Sequence, residues 1–268
     1  MNILAVISSK GGVGKTSIAL TAGFHYSRIM KQQTLLMELD SSPGDFSILF
    51  DIECNKSLEF AVKFPHNFQN YLKKVKENLF VLKGASDPFT AENIGSDEIC
   101  TLLESVSTKY QNIIIDTQTV LSRLIIDVLK ISAKIILLTD YSIESLDRSL
   151  FLYASLVHRH SVKKEKIILV VNRKRMSDFF RIWDFSRISG FPISGFISYD
   201  RNFDKNSFIS GGGKVFSTKL YRQLASLIDS GFGDSRVRKS GKQPALQYYC
   251  RYNNRHKKDV EESEGVLL

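Results

Sequence analysis

The stretch Ile3-Leu4-Ala5-Val6-Ile7-Ser8-Ser9-Lys10-Gly11-Gly12-Val13-Gly14-Lys15-Thr16-Ser17 decides the fold. Its first five residues are an apolar, β-rich run, its middle is a glycine-rich loop, and residues 16–30 follow with helical periodicity. A loop held between a strand and a helix is the context in which glycine spacing acquires a mechanism. Glycines let backbone N–H groups turn inward and approach phosphate closely, and the helix start adds its positive dipole end. In such a loop Lys15 pairs with the β- and γ-phosphates, and the Thr16 hydroxyl reaches Mg²⁺. Gly11, Gly12, Val13, Gly14, Lys15, Thr16 and Ser17 are therefore candidate nucleotide-binding residues. A glycine-rich turn with incidental lysines is the plainer alternative, and it leaves the flanking strand and helix unexplained.

Working outward, further short apolar runs occupy residues 34–39, 79–82, 113–115, 135–138, 167–171 and 193–197. Near-continuous apolar strands belong to a sheet covered by helices on both faces. Helical segments are predicted over 96–110, 120–131, 142–160, 177–189 and 214–230, with Ser142 and Glu144 suited to a first turn. The pattern predicts an α/β fold, a doubly wound, mostly parallel sheet flanked by helices, as in P-loop NTPases. With 268 residues, 43% hydrophobic side chains and only five prolines, the chain suits one sizeable core. The expected division is an ATPase domain over 1–232 and a basic tail over 233–268.

A phosphate loop needs an acid at a neighbouring strand end. Asn112-Ile113-Ile114-Ile115-Asp116-Thr117 supplies one, and Asp116 is the candidate for the Mg²⁺ shell, reaching the ion through water; an ordinary turn-starting Asp is the alternative. Leu35-Leu36-Met37-Glu38-Leu39-Asp40 ends its strand with two acids at alternating positions, on one side of the sheet.

Composition narrows the setting. No apolar run approaches the roughly 20 residues a membrane helix needs, and the N-terminus lacks the features of a signal peptide. Cys54, Cys100 and Cys250 are widely spaced and odd in number, against a disulfide framework or a zinc site. A cytoplasmic location is expected, either free or peripheral at the inner face of the membrane or at a cell pole. The formal charge of +9 is uneven, since residues 236–258 hold eight Lys/Arg and no acid. That segment interleaves Tyr248, Tyr249 and Tyr252 with its cations, a mixture suited to nucleic acid, to anionic lipid or simply to solvation. Arg173, Lys174 and Arg175 form a second basic cluster. Val215, Phe216, Leu220, Leu224, Leu227 and Ile228 fall on one helical stripe, read as core-facing in preference to membrane-facing.

The spacing Gly11-x-x-Gly14-Lys15-Thr16 with a second lysine at position 10 resembles the MinD/ParA superfamily of deviant Walker ATPases. The resemblance spans roughly residues 1–230. It implies an ATP-dependent homodimer in which Lys10 reaches the partner's nucleotide, with Lys10, Lys15 and Asp40 catalytic and Asp40 positioning the water and a further candidate for Mg²⁺. It also implies that Asn172 reads the adenine edge, with Arg173 beside it, and that Tyr199-Asp200-Arg201 closes the base pocket. ATP and Mg²⁺ are the implied substrate and cofactor. Two departures from the family pattern stand out: Glu38 replaces the usual Asp, and Asp116 is followed by Thr-Gln where a small residue and proline are usual. The resemblance therefore implies slow turnover.

Residues 40–52, with 78–85 and 207–214, most resemble the CpaE/TadZ branch. That likeness implies a spatial switch organising a pilus or secretion assembly, with protein partners in that machine. Partition, division-site or flagellar positioning is the alternative, and a nucleotide-holding scaffold without significant turnover is the alternative of another class.

Overall fold

In the computed structural model of the protein, residues 2–39, 44–174, 193–209 and 212–231 are described. The apolar runs form strands β1 (Asn2–Ser8), β2 (Thr34–Leu39), β4 (Leu79–Leu82), β5 (Asn112–Thr117), β6 (Lys134–Asp140), β7 (Ile167–Lys174) and β8 (Ile193–Ser198). They join β3 (Lys73–Lys76) in one eight-stranded sheet, ordered β3-β4-β2-β5-β1-β6-β7-β8. Every pairing is parallel except β3 with β4. The expected doubly wound, mostly parallel α/β sheet is what forms.

The described helices are α1 (Lys15–Phe24), α2 (Asp45–Phe50), α3 (Leu58–Lys63), α4 (Pro88–Glu92), α5 (Ser96–Ser107), α6 (Arg123–Ile131), α7 (Ile143–His158) and α8 (Lys219–Asp229). The sheet separates two apolar clusters, one on each of its faces, and the helices pack into them. One gathers Ile3, Ile113, Ile115 and Ile135 with Leu102, Val106, Val128 and Leu150 of the helices. The other gathers Leu4, Val6, Ile114 and Leu138 with Ile18, Leu20, Leu224 and Ile228. Alternate residues of β1 and β5 enter opposite clusters, so the strands are buried on both sides. Each fully buried Leu or Ile contributes about 1.5–3 kcal/mol.

Several local expectations are corrected. β3 carries Lys73-Lys74-Val75-Lys76 and gave no apolar signal, because an edge strand needs only one side covered and is guarded by lysines. The first helix is α-helical only to Phe24 and continues as a π-turn over His25–Ile29. The last helix starts at Lys219, with the Thr218 hydroxyl accepting from the Tyr221 N–H, so Val215 and Phe216 sit in a preceding 3₁₀ turn (Val215–Ser217). Val215, Leu220, Leu224 and Ile228 are nonetheless buried, which makes the stripe a core face. Ser142 caps α7 by accepting from the Ser145 N–H, and Glu144 lies in the first turn. The helix expected over 177–189, Arg175, and the tail from 232 onward lie outside the described residues. No helix among the described residues is long and apolar enough to cross a membrane.

Candidate functional site

β1 lies at the centre of the sheet, between β5 and β6, and the loop after it opens at the strands' C-terminal ends. Gly12 and Gly14 take left-handed backbone angles, φ 73° and 104°, which side-chain-bearing residues rarely adopt. A Cβ on Gly11 or Gly12 would meet nothing within 4 Å, so the outer side of the loop is open for a ligand's approach. Gly14 faces inward, and a Cβ there would lie 2.7 Å from Asn172 Nδ2. Val13 is buried beneath the loop, and Lys15, Thr16 and Ser17 form the half-exposed first turn of α1.

Three polar contacts hold this loop. The Ser8 hydroxyl donates to the Lys10 carbonyl at 2.8 Å, Ser9 Oγ and Ser149 Oγ of α7 lie 3.0 Å apart, and Asn172 Nδ2 donates to the Val13 carbonyl at 2.7 Å. Asn172 also accepts from the Arg173 N–H at 2.9 Å. Arg173 sits at φ 59°, an uncommon angle for a non-glycine residue, and its side chain faces solvent. In this arrangement the Asn172 amide braces the loop backbone. Lys174 places its ammonium 5.8 Å from the Tyr141 ring centre and 5.9 Å from that of Phe196, which engages one cation of the second basic cluster. Asp200 accepts from the Lys219 N–H at the head of α8 and from the Asn202 N–H at 3.0 Å, while the Tyr199 N–H donates to the Lys174 carbonyl at 2.8 Å.

The lysines take different directions. Lys15 Nζ donates to Thr119 Oγ1 at 3.0 Å and to Ser8 Oγ at 3.3 Å, joining the ends of β1 and β5. Lys10 Nζ donates to Asp140 Oδ2 at 2.9 Å, at the end of β6. Burial alone pushes the Asp140 carboxyl up, but its bonds to Lys10, Ser145 and Ser142 outweigh that and hold it below the usual carboxylate range.

Asp116 is buried on β5 opposite Val6 of β1 on one side and Glu38 of β2 on the other. In a parallel pair, registered neighbours project to the same face, so Glu38 and Asp116 stand side by side. The Glu38 carboxylate accepts from the Gly84 N–H at 3.1 Å and from the Phe46 N–H at 3.4 Å. A Cβ on Gly44 would run into that carboxylate. Glu38 thus ties the start of α2 and the loop after β4 to the sheet. Asp40 lies outside the described residues.

Oxygen ligands and spare water positions are what Mg²⁺ prefers. The Thr16 hydroxyl and the Asp116 carboxylate, on adjoining elements at the open end of β1 and β5, fit that requirement. No group of three or more His, Cys, Asp or Glu converges as a metal cage among the described residues. Ser8, Thr119, Asp140 and Ser149 were missed in reading the sequence. Asp140 carried the same signal as Asp116, an acid ending an apolar strand, whereas the three hydroxyl residues carried none.

The fold has known counterparts. A ParA family ATPase from Chlorobium tepidum superposes with a TM-score of 0.71 at 17% identity, over 84% of this chain and 97% of that one. The fold is that of the MinD/ParA ATPases. The septum site-determining protein MinD from Pyrococcus horikoshii, complexed with Mg-ADP, matches at TM-score 0.70 and 18% identity, over 88% of this chain and 99% of its own. A putative plasmid partition protein from Borrelia burgdorferi, bound to AMPPNP, matches at TM-score 0.64 and 21% identity, over 86% and 98%. No family model and no curated protein sequence matches this chain. At these identities the MinD/ParA likeness concerns the fold.

Proposed function

We propose that this protein binds and slowly hydrolyses ATP with Mg²⁺, as a dimeric switch of the MinD/ParA type. The observation that carries the reading is the loop between β1 and α1, with left-handed Gly12 and Gly14, an open outer face and Lys15 suspended between the β1 and β5 ends. The Mg-ADP and AMPPNP complexes of the two like-folded proteins support the choice of nucleotide. Backbone N–H groups of Gly11 to Gly14 would cradle the phosphates, and Lys15 would exchange Thr119 and Ser8 for phosphate oxygens. Thr16 directly, and Asp116 through water, would hold Mg²⁺, which when bound offsets the charge on the β- and γ-phosphates. Asp40 would position the water, and Lys10 would leave Asp140 to reach the nucleotide of the second protomer. Asn172, with Arg173, would border the base while bracing the loop.

In its finer form the reading makes the switch an organiser of a pilus or secretion assembly of the CpaE/TadZ kind, working in the cytoplasm or at the membrane's inner face or a pole. Plasmid partition or division-site positioning is the competing process; salt-sensitive duplex binding that required ATP would favour it. The test of the switch itself is mass in solution with Mg-ATP and with Mg-ADP, on the Asp40→Ala variant. A dimer with ATP alone is expected. A monomer under both conditions would sink the reading.

Glu38 supports a second reading. Its carboxylate serves the Phe46 and Gly84 amides, so a family-like acid at this place is engaged structurally. That favours a nucleotide-holding scaffold without significant turnover. Phosphate release indistinguishable from a Lys15→Ala control would select it.

A further inference from the structure

Beyond the C-terminal ends of β2 and β5, a groove of about 940 Å³ opens between the starts of α5 and α6. Its floor is apolar, formed by the buried Leu39, Leu58, Ala85, Ile94 and Ile125. Val120 on its lip is 70% exposed, and α4, whose Ala91 and Glu92 line the groove, also exposes Phe89 to 79%. Apolar side chains presented around a concave surface mark a place where something packs.

The charge of this groove runs against that of the chain. Glu92, Asp97, Glu98 and Asp127 line it with Arg123, Asp127 being paired with Lys130 at 3.2 Å and Arg123 at 4.0 Å, so Glu92, Asp97 and Glu98 carry the excess in a protein of formal charge +9. The complementary segment lies in the same chain. Residues 236–258 carry eight Lys/Arg and no acid, with Leu246, Tyr248, Tyr249 and Tyr252 set among them. Such a segment offers both cations for the rim and apolar groups for the floor.

Reach permits the contact. α8 starts beside Ser198, at the C-terminal end of β8, and by Asp229 has reached His25 at 2.9 Å, beyond the far end of α1, so the chain leaves it at the strands' N-terminal ends. From Gly231 to Cys250 an extended backbone spans roughly 60 Å, enough to pass around the domain. A tethered segment meets its own groove at millimolar effective concentration, whereas a free partner must supply that concentration itself.

We propose that residues 236–258 dock in cis into this groove, their cations on Glu92, Asp97 and Glu98 and their leucine and tyrosines on the apolar floor. The docked segment would bear on both acid-bearing strands. Leu39 immediately precedes Asp40, and Gln118 lies between Asp116 and Thr119, the residue that holds Lys15. The tail thereby acquires a role that needs neither nucleic acid nor lipid.

Native cysteines provide the test. Cys100 is half-buried on α5, close enough to Asp127 and Asp97 that both charges act on its thiol, and Cys250 lies within the proposed segment. The full chain carrying Cys54→Ser, without nucleotide, is treated with a short bismaleimide and mapped by peptide mass. A Cys100–Cys250 link within monomers is expected, falling about tenfold in 1 M salt, where the screening length shrinks to about 3 Å. The pair Glu92→Lys and Asp97→Lys should lower it comparably. Arg236→Glu, Arg238→Glu, Lys239→Glu and Lys242→Glu together should do the same. Overturning results are a yield indifferent to salt and to charge reversal, no link although a monofunctional maleimide labels both thiols, or links found only between chains, which would give the groove to a second copy. Because no nucleotide is present, failure here leaves the ATPase reading intact.

Discussion

Lys10 Nζ lies 2.9 Å from Asp140 Oδ2, so the lysine expected to cross to a partner is held at home by the end of β6. Both side chains are partly exposed, and such a pair contributes only about 0.2–1 kcal/mol. Its consequence is for closure more than for stability. The Asp140→Asn variant should unfold within about 0.5 kcal/mol of the parent, while its dimer with Mg-ATP should form at lower protein concentration. Light scattering across a dilution series reads both species; an unchanged dimer constant would show that the home contact costs nothing to break. The carboxyl is held below its ordinary value, so the pair persists above that value and is lost only as pH falls through the depressed one. At any pH above about 5, above the ordinary carboxyl value, the effect of the variant should therefore be flat.

Gly14 and Asn172 are the second pair. Gly14 at φ 104° has no room for a Cβ against Asn172 Nδ2. Gly14→Ala should cost about 1–3 kcal/mol and weaken a fluorescent ATP analogue at least about tenfold. Asn172→Ala relieves the crowding but leaves the Val13 carbonyl without that donor, about 1–3 kcal/mol. In the double variant the losses should sum to less than their total, because the alanine then meets an emptied space. Urea midpoints and anisotropy check this, and strict additivity would contradict it.

Glu38 makes a prediction through length. Its carboxylate reaches both the Phe46 and Gly84 N–H groups, and Glu38→Ala would leave two buried donors, costing about 2–4 kcal/mol. Glu38→Asp, one methylene shorter, should lose part of that. Gly44→Ala should be destabilising in the parent, where its methyl strikes the carboxylate, and nearly neutral beside Glu38→Asp. Thermal melts of the four proteins suffice, and an equal penalty in both backgrounds would refute the contact.

Alkaline unfolding has a named source. Burial pushes the phenols of Tyr110 and Tyr153 up to about 12, with Glu165 adding to the second. Folded-state values raised above the unfolded value mean that this stability is complete below about pH 10 and drains away between there and about 12. Urea unfolding at pH 9 and at pH 11 should show the loss, and Tyr110→Phe with Tyr153→Phe should reduce its slope. An identical slope would assign the transition to other groups.

How much was legible follows from which interactions are local. The loop, its strand and its helix are contiguous, so residues 3–17 announced the site. Asp116 was legible for a related reason, as an acid ending an apolar run whose neighbours must be buried. β3 was not, since an edge strand of lysines has no apolar period to read. The helix start at Lys219 was missed because Val215 and Phe216 continue the apolar spacing into a 3₁₀ turn, and the Thr218 cap overrides it.

The sequence by itself determined the parallel sheet and the phosphate loop, because apolar periodicity and glycine's backbone freedom act over a few neighbouring residues. Tertiary structure alone decided where Lys10, Glu38 and Asn172 direct their polar atoms. Their partners, Asp140, Gly84 and Val13, stand 130, 46 and 159 residues away, and only the order of strands in the sheet brings them within hydrogen-bond reach.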